Sequence, residues 1–340
     1  SLKEVFNSVI NSSDNYSAEE IRSICSKKTQ KAFSKVNYEI RGSETLPKKQ
    51  SSIFIYNHLD NHPDYIVSDK FQITLDSHFI SSMILDKYYG NPGIRVSRYS
   101  LKNEKSHNNY YSKLNLIRVY AKNFIPVNID KKQVKKVNNS FYKKAEKYLE
   151  KGIGMVISPE GVSNLTERSP SKFKSGFLKL ALKMNPPPPI VPIVVANFDK
   201  LASESIFKCE IKKPIYLKSI KSKIDFEEEI ILLKKKINKK YKLWINNLLN
   251  ENNDFSQEIN NLKFKVEKLK KISDPVIFYG SSTIRLWNSI KRDFPKNNII
   301  NLGFGGAYVD SLSKNFKSLF KFKKPRIIII YFGGNDFFLG

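Results

Sequence analysis

Three short apolar runs, each ending in a polar or glycine-bearing turn, constrain this chain more than any other feature. Ile53-Phe54-Ile55-Tyr56 leads straight into Asn57-His58, Gly154-Met155-Val156-Ile157 into Ser158-Pro159-Glu160-Gly161, and Ile190-Val191-Pro192-Ile193-Val194-Val195 follows a proline stretch at 186–189. Runs of this length are buried strands bounded by turns. Between them lie helical patterns: Val134, Val137, Phe141, Ala145, Tyr148 and Leu149 mark one face of a helix over 131–150, and Phe173, Phe177, Leu178, Leu180 and Ala181 mark the next. Strands alternating with helices predict an α/β domain up to about residue 217. Ahead of it, Ser17 and Glu20 form a capping-box pattern, and 36–41 and 94–98 read as strands. Residues 65–120 otherwise show only short alternating pieces, and 124–127 reads as another brief strand.

From 226 to 272 the composition shifts to Lys, Glu, Asn and Leu. Ile230, Leu233, Ile237, Tyr241, Trp244 and Leu248 keep a helical period, 250–254 breaks it, and Ile259, Leu262, Val266 and Leu269 resume it. A third pattern starts at Val276: strands at 276–279, 299–302 and 326–332, each ending in a glycine turn, predict a parallel sheet with its site at the strand C-termini. The expected organisation is therefore an α/β domain over 1–217, a helical connector over 218–274 and an incomplete α/β/α, flavodoxin-like parallel-sheet domain over 275–340.

The net charge of +27 comes mostly from lysine, with nine arginines among 59 basic residues. Arginine is the residue that reads guanine edges bidentately, so this excess points to diffuse attraction to anionic surfaces, such as lipid headgroups, and away from specific nucleic-acid recognition. Cys25 and Cys209 are too few for a disulfide framework, which favours a reducing compartment. No apolar run approaches the ~18 residues of a membrane span. No His/Cys/carboxylate cluster has ligand spacing, so no metal is expected.

Residues 57–64 hold two of the four histidines, His58 and His62, with Asp60 and Asp64 close by. A histidine next to carboxylates at a strand exit suits general-base chemistry; a polar turn that happens to carry histidines is the plain alternative. His78 and His107 have no supporting pattern and read as structural.

Asn57-His58 with a downstream Asp, Ser158-Pro159-Glu160-Gly161, Phe173-Lys174-Ser175-Gly176 and Ile190-Val191-Pro192-Ile193 occur in that order. Together they resemble the successive motif blocks of the glycerolipid acyltransferase family, which includes glycerol-3-phosphate and lysophosphatidate acyltransferases, over about residues 35–215. The resemblance implies O-acyl transfer from a thioester donor, acyl-CoA or acyl carrier protein, to a glycerol-phosphate or lysolipid hydroxyl. No bound cofactor is implied. His58 would be the general base, and Asn57, Glu160 and Gly161 would belong to substrate binding. The family spacing to the partner Asp falls on Pro63, so Asp64 is the expected partner, with Asp60 the alternative. Where members carry a basic residue after Pro-Glu-Gly, this chain has Val162-Ser163, and Arg168 is the expected substitute, with Arg95 or Arg98 as further contributors. A cytoplasmic enzyme meeting the inner membrane face peripherally would follow.

Farther on, Tyr279-Gly280-Ser281-Ser282-Thr283-Ile284-Arg285-Leu286-Trp287, Gly303-Phe304-Gly305-Gly306 and Gly333-Gly334-Asn335-Asp336 resemble the first three blocks of the SGNH (GDSL-type) hydrolases. By that resemblance Ser282 is a nucleophile, with Gly306 and Asn335 in the oxyanion hole. Members also carry a late histidine, and this chain has none after His107; the expectation is that the sequence ends inside the domain. Two other functions stand beside acyl transfer: an esterase centred on the last domain, and a basic module binding membrane or nucleic acid.

Overall fold

In the computed structural model, the described residues are all except 122–123, 220–222, 251–254, 270, 306, 322–323 and 335–340; the side chains of 223–225, 250 and 255–257 also lie outside the description. The chain divides into two compact units, Ser1–Ile245 and Asn246–Gly340.

The first unit is built on a seven-stranded sheet. Its strands are β1 (Tyr38–Arg41), β2 (Ile53–Tyr56), β3 (Ile94–Arg98), β4 (Ile117–Val119), β5 (Met155–Ile157), β6 (Ile190–Ala196) and β7 (Phe207–Ile211). They lie in the order β1-β7-β6-β2-β5-β3-β4, and every neighbouring pair is parallel except β6 and β7. β2 sits centrally, between β5 and β6, and is buried along its whole length. That explains its unbroken apolar sequence, since both faces of a parallel strand are covered.

Successive side chains of a strand alternate between faces. Phe54 and Tyr56 face a core shared with Phe33, Phe79, Ile80, Met83 and Ile84. These partners come from the helix Ala18–Phe33 and from a long helical segment that begins as Leu75–Phe79, widens into a π-helical stretch at Ile80–Asp86 and ends at Lys87–Tyr89. The Ser17 capping box predicted from the sequence is formed. The helix Lys131–Glu150 has the predicted bounds. The segment at 124–127 is not a strand; β4 lies just before it, at Ile117–Val119.

The helical stretch after 217 is not an independent layer. The helix Lys223–Asn250 buries Ile230, Ile237, Tyr241 and Ile245. The Tyr241 hydroxyl donates to Ile55 O at 2.7 Å and accepts from Ile193 N at 3.1 Å, tying this helix to β2 and β6. The division between units falls at Ile245 and Asn246, inside the helix, rather than at 217 and 275.

In the second unit, β8 (Val276–Gly280) lies between β9 (Ile299–Asn301) and β10 (Ile327–Tyr331), all parallel. Ile277 and Tyr279 pack with Ile259 and Val266 of the helix Phe255–Leu269, while Val276 and Phe278 pack on the opposite face with Ile284 and Ile290. β10 is an edge strand whose residues are exposed.

Candidate active site

At the C-terminal end of β2 the chain stays extended. Leu59 forms a parallel bridge with Asn164, and Asp60 N donates to Asn164 O at 2.9 Å. Odd and even positions therefore part here. His58 keeps the side of Phe54 and Tyr56, toward the helical segment that starts at Leu75, and its ring lies edge-on to Tyr56 at 5.8 Å between centroids.

The carboxylate that meets His58 on that side is Asp76, with Oδ2 at 2.6 Å from the ring Nδ1. Asp76 is 1% exposed, and it also accepts from Leu59 N at 2.8 Å and from Ser77 N at 2.6 Å. The expected partners are both elsewhere. Asp64 is an exposed residue 3.8 Å from His62, and Asp60 lines the cavity without touching the ring. The physical reason is the excursion between His58 and Leu75. Asn61 clips its base, donating to Ile73 O and accepting from Leu75 N, so the first turn of the helix returns beneath His58. A carboxylate at a helix N-terminus is also favoured by the unpaired amides there.

With Asp76 ionised, the imidazole donates Nδ1–H and turns Nε2 outward. The His58 side chain is 21% exposed and lines a cavity of about 1300 Å³. Burial alone would lower the basicity of His58, but the charge and hydrogen bond of Asp76, with Glu160 and Asp60 behind it, leave it raised above the ordinary histidine value.

Glu160 is a brace rather than a cavity contact. It is 2% exposed and is held by donors: His58 N to Oε1, and Ser171 N and the Asn164 amide to Oε2. Burial pushes its carboxyl up to about 7 against the pull of those donors. Asn57 is likewise structural. Fully buried, it accepts from Val195 N at 2.8 Å and donates to Val195 O at 2.9 Å, clamping the end of β2 to β6. Gly161 does line the cavity, and its φ of +68° is a left-handed backbone conformation that favours glycine.

Arg168 is exposed and outside the cavity lining. The cations that do line it include Lys70, Arg98, Lys105 and Lys174, of which Arg98 forks onto Glu104 at 2.5 and 2.6 Å and stacks over Phe124. Asp76 lies in none of the motif blocks, although the sequence around it carries a signal: Thr74 precedes a first-turn Asp, and Leu75, Phe79, Ile80, Met83 and Ile84 follow a helical period.

Residues 37–196 match the protein-family model described as Acyltransferase. The protein is an enzyme that transfers acyl groups. The match takes in β1 to β6, His58, Asp76 and Glu160. Among solved structures, the 1-acyl-sn-glycerophosphate (LPA) acyltransferase PlsC from Thermotoga maritima is similar at 17% identity, covering 70% of this chain and 87% of that one with a TM-score of 0.42. No curated protein sequence matches this chain. Its second unit lies beyond the matched segment. There Ser282 opens a four-residue helix directly after β8 and Ser281, while Gly306 and Asn335 lie outside the described residues. Among the described residues no helix is long and apolar enough to cross a membrane.

Proposed function

We propose that the first unit moves an acyl group from a thioester, acyl-CoA or acyl carrier protein, onto a hydroxyl of a glycerol-phosphate or lysolipid-type acceptor, with His58 as general base. What supports this is the His58–Asp76 pair at the wall of the cavity, with Nε2 turned away from Asp76. Nε2 takes the proton of the acceptor hydroxyl as its oxygen attacks the thioester carbonyl. Asp76 holds the tautomer and stabilises the imidazolium that forms. Collapse of the tetrahedral adduct expels the thiolate, which recovers the proton from Nε2, so the products are ester and free thiol. The lysine excess and the exposed apolar side chains of Ile66, Val127 and Leu165 support peripheral contact with an anionic membrane surface.

The direct test is to supply acyl thioesters with a panel of hydroxyl acceptors and to follow thiol release together with ester product. Ester formation on a glycerol-phosphate or lysolipid acceptor is expected. Thiol release that never yields ester, whatever the acceptor, would sink this reading.

A second reading concerns the second unit alone: an SGNH-type hydrolase segment with Ser282 as its nucleophile. It is favoured by the position of Ser282, immediately beyond the central strand of a parallel sheet.

A further inference from the structure

Tyr56, Ser77, Thr74 and Tyr111 form a row of hydroxyl side chains on the cavity wall that His58 also lines. Tyr56 and His58 are two positions apart in extended chain and so share a face. Thr74 and Ser77 flank Asp76 at the start of its helix, three positions apart and therefore on one side of it. Tyr111 comes from the helix Lys105–Lys113. The row is linked by hydrogen bonds. The Tyr111 hydroxyl lies 3.2 Å from Thr74 Oγ1, Thr74 Oγ1 lies 2.7 Å from Ser77 Oγ, and the Ser77 side chain meets the Tyr56 hydroxyl.

Each hydroxyl has one hydrogen to donate, so three links among four hydroxyls leave one hydrogen over. When Tyr111 donates to Thr74, Thr74 to Ser77 and Ser77 to Tyr56, the spare hydrogen is on the Tyr56 phenol, at the His58 end of the row. Each bond in such a chain strengthens the next, so this phenol is a better donor than an isolated one. Burial and the Asp76 charge hold it in its neutral, donating form.

Acyl transfer needs such a donor. His58 and Asp76 take care of the acceptor's proton, but a second charge appears as the acceptor oxygen adds to the thioester carbonyl carbon. The carbonyl π pair moves onto the carbonyl oxygen, and hydrogen-bond donors aimed at that oxyanion lower the barrier. The adduct forms next to His58 Nε2, because the attacking oxygen is the one whose proton Nε2 takes. The Tyr56 ring stands edge-on to His58, 5.8 Å away between centroids, which brings a neutral O–H to the same part of the cavity.

We propose that Tyr56 is a catalytic residue whose hydroxyl, backed by Ser77, Thr74 and Tyr111, donates a hydrogen bond to the carbonyl oxygen of the tetrahedral adduct. The phenol keeps its own proton throughout. When the C–S bond breaks, the oxyanion pair re-forms the carbonyl and the thiolate takes the proton held by Nε2. This rests on the acyl-transfer reading of the cavity, with His58 as base.

Tyr56→Phe keeps the ring and removes the donor. Steady-state kinetics of the full chain are measured over pH with an acyl-CoA and the acceptor that wild type uses best, on variants that match the wild-type Tm. Removing one oxyanion donor should lower kcat and kcat/KM together by about 10²–10³-fold, with KM for either substrate within about twofold. The acidic limb of the pH profile should stay in its wild-type place, because the His58–Asp76 pair is untouched. Ser77→Ala breaks the row but leaves the phenol, and should lower kcat by up to about tenfold, the worth of one neutral hydrogen bond. If Tyr56→Phe does not fold, Ser77→Ala and Tyr111→Phe carry the comparison, and wild-type kcat in both overturns the proposal. A folded Tyr56→Phe with wild-type kcat, a loss confined to KM, or an acidic limb displaced as in Asp76→Asn also overturns it. A wild type that acylates no acceptor sinks the acyl-transfer reading and this one with it. An active wild type matched by Tyr56→Phe sinks this one alone.

Discussion

Asp76 lies 2.6 Å from the ring of His58 although the two are 18 positions apart in the chain. The dyad joins the exit of a central strand to the first turn of a helix, and a looped excursion closed by Asn61 brings them together. The excursion also contributes Asp60, Asn61, Pro63, Asp69, Lys70, Phe71 and Gln72 to the cavity wall, so the feature that separates the pair in sequence shapes the site in space.

Replacing Asp76 with Asn leaves His58 without its counter-charge. General-base assistance contributes roughly 10²–10⁴-fold, so Asp76→Asn should lower kcat/KM by a large part of that range. Asp64→Asn, at an exposed carboxylate beside His62, should stay within about twofold, the ordinary effect of a surface change. Steady-state kinetics on the two variants check this. Equal losses would point back to the expected partner.

The pH profile follows from the same pair. A base acts when neutral, so activity rises with pH through the pKa of His58, which Asp76 holds above the ordinary value against the effect of burial. The acidic limb of kcat/KM should therefore lie above that of a free histidine and move to lower pH in Asp76→Asn. A limb that stays in place would show that another group sets it.

Glu160→Gln should damage the loop before the chemistry. Three donors converge on this carboxylate, and an amide cannot accept from all of them. A buried group left unsatisfied costs about 1–3 kcal/mol, readable by urea unfolding. The pH dependence has a definite sign. Its carboxyl is raised to about 7 in the fold, so the stability it contributes is full below the ordinary carboxylate value near 4.5 and is lost as pH rises through about 7. The stability difference between wild type and Glu160→Gln should shrink across that window.

Asn57→Ala should cost stability rather than substrate affinity, by about 1–3 kcal/mol for two buried hydrogen bonds to one strand. A KM change with unaltered stability would restore it to substrate binding.

Ser282→Ala and Arg168→Ala should each leave acyl transfer within about twofold, because neither residue lines the cavity and surface changes rarely act further. Acylation assays on the full chain check both.

Much of the architecture was legible because buried strands write it plainly. The bounds of β2, β3 and the helix Lys131–Glu150 can be read from apolar runs and period alone. Less was visible where tertiary packing decides. β7 and its antiparallel pairing carry mixed residues, including a fully buried Lys208. The helical segment from Leu75 opens without a side-chain cap and passes into a π-helical stretch, which blurs its period. His58 was readable from its position at a strand exit. Its partner was not, because contact across an excursion depends on where the chain returns, and local spacing cannot encode that. Asn57 and Glu160 show the complementary case. Their polarity drew attention, but their hydrogen bonds point into the scaffold.

The central claim is tested most directly by ester formation from an acyl thioester and a lysolipid or glycerol phosphate with wild type and His58→Ala, compared after both are shown to have the same Tm. The account predicts a loss of about 10²-fold or more in kcat/KM for the variant. Wild-type rates from a folded His58→Ala protein would contradict it.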